Sequence, residues 1–332
     1  MSAIMRRTAL ALAGGLAMPR LGGTGLHAQG TWNPTRTITL VVGFPPGGRT
    51  DLAARMIRPG MQAALGAQVD VDNRGGEGGN TGIEAVMSAK PDGHTLLVTN
   101  MAPMALNPHT MEGMTLDPRE MVPVGLVVQS SLILCAHPLL NLRDVASLRT
   151  WVASQAGRPI TYGSTGTGSL SHLAMELLRE QLGAPPMTHI PYRGSSAAMQ
   201  DLIAGRFKLM FDSASIVAPA LRAQQIRGLL ATGRTRCPAL PDIATAEQQG
   251  LANFTFGAWI GLFAPRGTSP EAVARLNAAL NTALGDAPLR ERANGRGDEP
   301  GGGTAEAMGR IVTEDYDRWG AVIRANNIRV ES

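Results

Sequence analysis

From Thr37 onward the chain alternates short β-rich runs with stretches of helical period. "TITLVVGF" is a run of β-formers, and "DLAARMIRPGMQAAL" after it repeats its apolar residues three and four apart. "QVDVDN" precedes a glycine loop and the helical pattern "TGIEAVMSAK", and "HTLLVTN" follows as a third strand. Strand, loop and helix in this order make the βαβ rhythm of a parallel sheet. "NPHTMEGMTLDPRE" then breaks the period, and "VPVGLVVQSSLILCAHP" supplies two β-rich runs in succession. The rhythm resumes after Pro138. Helix "LRDVASLRTWVASQ" leads to strand "PITYGS", helix "SLSHLAMELLREQL" to "MTHIPY", and helix "SSAAMQDLIAG" to "FKLMFDS". "SIVAPALRAQ", strand "IRGLLATG" and a predicted helix "IATAEQQG" complete this half, before a long β run within Phe254–Pro270 and a helical tail. The second βαβ half is therefore inserted into the first. Two α/β domains facing each other across a cleft are expected, with crossings near Leu132–Ala136 and Phe254–Phe263 and the C-terminal helices returning to the first domain.

The first residues lack this rhythm. Arg6 and Arg7 precede the apolar run "TALALAGGLAM", which is too short to span a bilayer, and the small residue Ala28 follows. This order predicts a secretory leader over residues 1–28, with ordinary secretion favoured over the twin-arginine route that the Arg6–Arg7 pair also suggests. Arg6, Arg7 and Arg20 lie in it, so its removal lowers the formal charge from +4 to +1. The balance left is too even to suggest a nucleic-acid partner. Aromatics make up only 4% of the chain and glycine contributes 40 residues, which predicts cores of Ala, Leu, Val and Ile joined by glycine turns. Cys135 and Cys237, about a hundred residues apart, are expected to be two unpaired thiols.

The candidate chemistry lies in four turns at strand carboxyl ends, where open parallel sheets bind ligands. They are "VVGFPPGGRTD" (Val41–Asp51), "NRGGEGGNTG" (Asn73–Gly82), "YGSTGTGSLSHL" (Tyr162–Leu173) and "PYRGSSAAM" (Pro191–Met199). Each opens a helix, whose first-turn N–H groups and positive dipole end favour an anion. No G-x-x-x-x-G-K-[ST] and no well-spaced G-x-G-x-x-G occurs, so the nucleotide reading fails. Ser169 and His172 lie one helical turn apart and invite a hydrolase reading, but no G-x-S-x-G elbow surrounds them. The six histidines show no metal-ligand spacing, and no metal or cofactor is expected. Asp51 can accept a hydrogen bond from a ligand or serve only as a first-turn carboxylate. Asp212 can reach the cleft or cap the next helix. Arg49, Arg74 and Arg193 can clamp a carboxylate or face solvent.

Eight segments, in order, resemble one family. They are "ITLVVGFPPGGRTDLAAR", "VDNRGGEGGNTGIEAV", "KPDGHTLLVTN", "YGSTGTGSLSHLAMELL", "HIPYRGSSAAMQDLIAG", "LMFDS", "TGRTRCPALPDIATAEQQG" and "GLFAPRGTSPEAVARLNAAL". The chain is similar to the Bug family of periplasmic solute receptors, which serve tripartite tricarboxylate transporters. The resemblance implies an α/β, two-lobed periplasmic binding protein with a ligand cleft between lobes. Lobe 1 would comprise residues 35–134 and 262–332, and lobe 2 residues 135–261. It implies a monomeric receptor, not an enzyme, that takes a small carboxylate and passes it to membrane permease subunits or, alternatively, reports it to a membrane sensor. Carried onto this sequence, it points to Phe44, Pro46, Gly47, Gly48 and Asp51 in the first turn. Asn80 and Asn100 would add side-chain amides. Ser164, Thr165, Gly168, Ser169 and His172 would line the second lobe, together with Tyr192, Gly194, Ser195 and Asp212. Gly43, Arg49, Gly75 and Glu77 depart from the family pattern, and "NMAPMALNPH" places methionines where small polar residues are frequent, so one wall is expected to be more apolar.

Overall fold

The computed structural model describes residues 32–330, apart from 112, 113, 115 and 156. The expected leader lies outside the described residues. The first ladder is built from β1 (Ile38–Val42), α1 (Arg49–Leu65), β2 (Val69–Asn73), α2 (Asn80–Met87) and β3 (Thr95–Asn100). A π-helical turn, Ala102–Leu106, runs into the short α3 (Asn107–Thr110). The long strand β4 (Val122–Ala136) leads into α4 (Val145–Ser154), β5 (Thr161–Ser164), α5 (Leu170–Leu182), β6 (Thr188–Pro191) and α6 (Ser195–Ile203). Then come β7 (Leu209–Ser213), α7 (Ala214–Arg222), β8 (Arg227–Ala231) and β9 (Gly257–Ala264). The chain ends with α8 (Pro270–Leu284), α9 (Ala287–Gly295), β10 (Glu299–Gly302) and α10 (Ala305–Ala325).

The strand order is β2-β1-β3-β9-β4-β7-β5-β6, with β8 and β10 also paired to β4. β1 runs parallel to β2 and β3, and β5 runs parallel to β6 and β7. The antiparallel strands β9 and β4 join these two ladders. Val122–Ser131 of β4 pairs with β9, whereas Leu132–Ala136 pairs with β7. A single strand therefore replaces the two successive runs expected here, because β9 and then β7 pair with it from end to end and β10 and β8 add partners on parts of it. By internal contacts Thr31–Ser332 holds together as one compact unit.

Aliphatic residues fill the core between β1, α1 and α8, where Leu40, Val42, Ile57 and Leu276 have no exposed surface. The expectation of small aliphatic cores holds there and fails at the junction of the ladders. Phe211, Phe254, Phe256 and Trp319 form a chain of ring contacts with centroids 5.0–6.0 Å apart. The few aromatics are thus concentrated beside the crossing strands. The expected helix over "IATAEQQG" is only a 3₁₀ turn, Glu247–Gln249. Eight residues nucleate a helix poorly, and tertiary bonds hold the turn instead. The Gln249 amide donates to the Leu229 carbonyl at 2.8 Å and accepts from the Val145 N–H at 2.8 Å. β10, sequence "EPGG", has no β-forming signal and is fixed by pairing with β4. Cys135 and Cys237 are both free and buried.

Candidate functional site

Helix N-termini divide into two groups among the described helices of eight residues or more. α4, α5, α8, α9 and α10 are capped by the side chains of Asp144, Ser169, Ser269, Asp286 and Thr304. α1, α2, α6 and α7 begin at Gly48, Gly79, Gly194 and Ser213 and have no side-chain cap. Each of these four follows a strand of a parallel ladder. Their first-turn amides lack the side-chain acceptor that would otherwise satisfy one of them.

The largest cavity described has a volume of about 470 Å³. Arg49 at the start of α1, Asn100 at the end of β3 and Gly78 border it from the first ladder. The loop Thr165–Ser169 borders it from the second. Gly168 adopts φ +73°, and a Cβ there would lie 2.7 Å from Val330 Cγ2, so the loop needs glycine at its closest approach to the C-terminal segment. The π-helical turn, Met111 and Trp259 of β9 form apolar walls. Of the residues expected in the site, Asn100, Thr165, Gly168 and Ser169 line this cavity.

The others lie around it. Pro46, Gly47 and Gly48 form an exposed turn, and Phe44 packs half-buried against the first core. Asp51 is 1% exposed and does not line the cavity. Its oxygens accept from the Gly47 N–H at 2.8 Å, Arg55 Nε at 2.9 Å and Asn73 Nδ2 at 3.0 Å. The Arg55 guanidinium holds its carboxyl below the usual range. Asp51 therefore holds the shape of the turn. Asn80 is buried behind Met111, with its amide 3.7 Å from the Met111 sulfur. Ser164 has no exposed surface, and its hydroxyl bonds the Gly166 carbonyl at 3.0 Å. Tyr192 donates to Asp201 at 2.7 Å and packs on Phe207. Gly194 and Ser195 open α6 beside Asp212. Asp212 is 6% exposed, and its Oδ1 accepts from the Ser213 N–H at 2.7 Å. Its Oδ2 completes no hydrogen bond among the described residues, although Ser195 approaches it. Burial pushes this carboxyl up, opposed by those neighbours and by the charge of Arg49.

Arg49, which the sequence left open, points into the cavity and is already partnered. It donates to Asp298 at 2.8 Å and to the Ala258 carbonyl at 3.1 Å. Glu77 is exposed and does not border the cavity. The methionine wall was legible as a cluster in "NMAPMALNPH". Trp259 was not singled out, and a tryptophan between the glycines of "GAWIG" was the available signal.

His172 borders a second cavity of about 300 Å³ and stacks on His189, with ring centroids 3.8 Å apart and planes 15° from parallel. Its Nδ1 accepts from the Gly168 N–H at 3.2 Å, and the Ser169 hydroxyl donates to the Gly166 carbonyl at 2.6 Å. No Ser169–His172 dyad of the hydrolase kind exists. Burial, reinforced by His172, pushes His189 down to about 4, and burial also lowers His172. The pair holds the Thr165–Ser169 loop from behind, since His189 Nε2 lies 2.7 Å from the Ser164 hydroxyl. Among the described residues no group of three or more metal-ligating side chains occurs, and no helix is long and apolar enough to cross a membrane.

The α/β fold is that of periplasmic binding proteins, with mixed sheets flanked by helices. A family model described as tripartite tricarboxylate transporter family receptor matches residues 53–328. BugT of Bordetella pertussis is 30% identical over 300 residues, covering 90% of this chain and 91% of BugT. The structure of R. palustris Rpa4515 with adipate shares 33% identity at a TM-score of 0.72, covering 89% of this chain and 99% of that one. MatC (Rpa3494) from Rhodopseudomonas palustris with bound malate shares 32% identity at a TM-score of 0.67, over 87% and 99% of the two chains. With a match spanning most of its length and relatives aligned nearly end to end, the chain belongs to the receptor family of tripartite tricarboxylate transporters.

Proposed function

We propose that this solute receptor works in the periplasm, captures a small carboxylate in the 470 Å³ cavity and delivers it to a membrane permease of the tripartite tricarboxylate type. The observation that carries this reading is the meeting of both parallel ladders at one cavity beside an uncapped helix N-terminus, that of α1. A carboxylate at such an end gains roughly 0.3–2 kcal/mol from the dipole. Hydrogen bonds to its charged oxygens add about 1.5–3 kcal/mol each. Four of these, less the cost of ordering, reach the ~8 kcal/mol of micromolar binding. Relatives solved with malate and adipate support the carboxylate class.

The lobes of this reading are residues 35–134 with 262–332 and residues 135–261. β4 and β9 are the segments that pass between them, and closure would hinge there. The leader over residues 1–28 supports export. Phe44, Pro46, Gly47 and Gly48 would present the turn, and the Thr165–Ser169 loop would meet it. Titration calorimetry of the purified protein against malate, adipate, citrate, glutamate and aromatic acids tests the reading. Micromolar binding of at least one acid is expected, and no heat with any of them would sink it.

A further inference from the structure

The cavity carries more information than its general affinity for carboxylates. Resting on the assignment of this cavity as the ligand site, we propose that it selects a monocarboxylate with a flat, apolar, aromatic body over compact di- and tricarboxylates.

Charge is the first argument. Among the described residues that line the cavity, Arg49 is the one cation, and Asp298 already neutralises it at 2.8 Å. A second or third carboxylate on the ligand would enter without a counter-charge, and an unpaired buried charge is strongly unfavourable. Donor capacity is the second argument. The Asn107 amide donates to the Gly78 carbonyl at 3.3 Å and to Asn80 at 3.1 Å. The Thr110 hydroxyl donates to Leu106, that of Ser169 to Gly166, and the Asn100 amide faces Thr50. These side chains are engaged within the protein. What remains for a ligand is the Thr167 hydroxyl and main-chain N–H at the loops, a set suited to one carboxylate group.

The third argument is the rest of the wall. Met101, Leu106, Met111, Leu170 and Trp259 line it. Thioethers and an indole favour a π-face, through sulfur–aromatic contact and ring packing. A polar second headgroup against this surface would lose its water without replacement. The volume of about 470 Å³ lies within the range of pockets for ligands larger than four-carbon acids.

The experiment is calorimetry of the purified protein with benzoate, phenylacetate and 2-naphthoate against malate, adipate and citrate. Intrinsic tryptophan fluorescence is followed in parallel, with Trp259→Phe identifying the signal from the cavity wall. The expected result is that the best aromatic monocarboxylate binds at least tenfold tighter than any of the polyacids, with a negative heat-capacity change. Met111→Asn should weaken the best aromatic acid at least fivefold, and an unchanged affinity would remove the methionine wall from the selection. If malate, adipate or citrate binds as tightly as every aromatic acid, the selectivity proposal is overturned while the receptor reading stands. If none of the six gives heat or a fluorescence change, both fall together.

Discussion

At the scale of the residue, Asp51 carries a role distinct from the one its position suggests. Its carboxylate ties Gly47, Arg55 and Asn73 together from a site with 1% exposure. Asp51→Ala is expected to lower stability by about 3 kcal/mol, because it leaves the Gly47 and Asn73 donors without their acceptor. A shift in the urea midpoint measures it. The same carboxyl has its folded value lowered below 3.8, so its contribution is present above that value and is lost as pH falls through the folded one. Arg49 acts differently. Arg49→Ala removes the link from the first turn of α1 to Asp298 and the Ala258 carbonyl. It should weaken carboxylate binding about tenfold in calorimetry while moving the thermal midpoint by only a few degrees, since surface-accessible ion pairs contribute about 0–1 kcal/mol. An unchanged affinity would mean that the guanidinium only braces the turn.

At the scale of the element, the stacked pair His172–His189 controls the loop that faces the cavity. Burial disfavours the charged form of both rings. An unfolded imidazole takes up its proton near 6.5, whereas folded His189 waits until about 4. The unfolded chain therefore binds more protons between these values, and His189 costs stability as pH falls through that window. Asp315 works in the opposite sense. Burial raises it to about 6, so it favours the fold at the acid end and loses that effect as pH rises through 6. Glu176, Tyr162 and Arg329 border the same cavity as the pair, and Arg179 pairs with Glu176. A difference against a variant isolates the histidine effect. The stability of the protein minus that of His189→Phe should fall by about 1–2 kcal/mol from pH 7 to pH 4, after allowance for solvent screening of a half-buried ring. Thermal melts at both pH values check it, and parallel curves would remove the imidazole from the account. Local pattern made most elements legible. β1, α1, α5 and α10 follow their apolar period, and Ser169 and Thr304 cap α5 and α10. What escaped was structure decided elsewhere in the chain. β10 exists because β4 offers an edge, and Gln249 holds a turn where its neighbours alone suggest a helix.

At the scale of the whole molecule, the loops of the site were legible because glycine turns after β runs announce strand ends. The cavity itself was not. Its position depends on how two ladders meet through β4 and β9, and no local period encodes that meeting. Hence Asn100 and the Thr165–Ser169 loop reached the cavity, whereas Asn80, Tyr192 and His172 turned to neighbours behind it. Ligand and fold are thermodynamically linked here, and a ligand at a hundred times its Kd should add about 2.7 kcal/mol to stability. The bare start of α1 extends that linkage to the chain's own side chains. Position 48 has φ −73° and ψ 165°, the conformation of an ordinary N-cap, and a Cβ would sit 3.4 Å from the Pro45 carbonyl oxygen without a clash. Nothing steric keeps an acidic residue out. Gly48→Asp would supply a carboxylate tethered at the helix start, stabilising the protein by about 0.5–1 kcal/mol. It should lower affinity for free carboxylates at least tenfold, as read by melting and calorimetry on the same sample. Such a variant would be sturdier and blind, occupied by a permanent internal competitor. On the proposed reading, the missing side chain at Gly48 gives up some rigidity so that a carried solute, rather than the chain itself, supplies the acid at the start of α1.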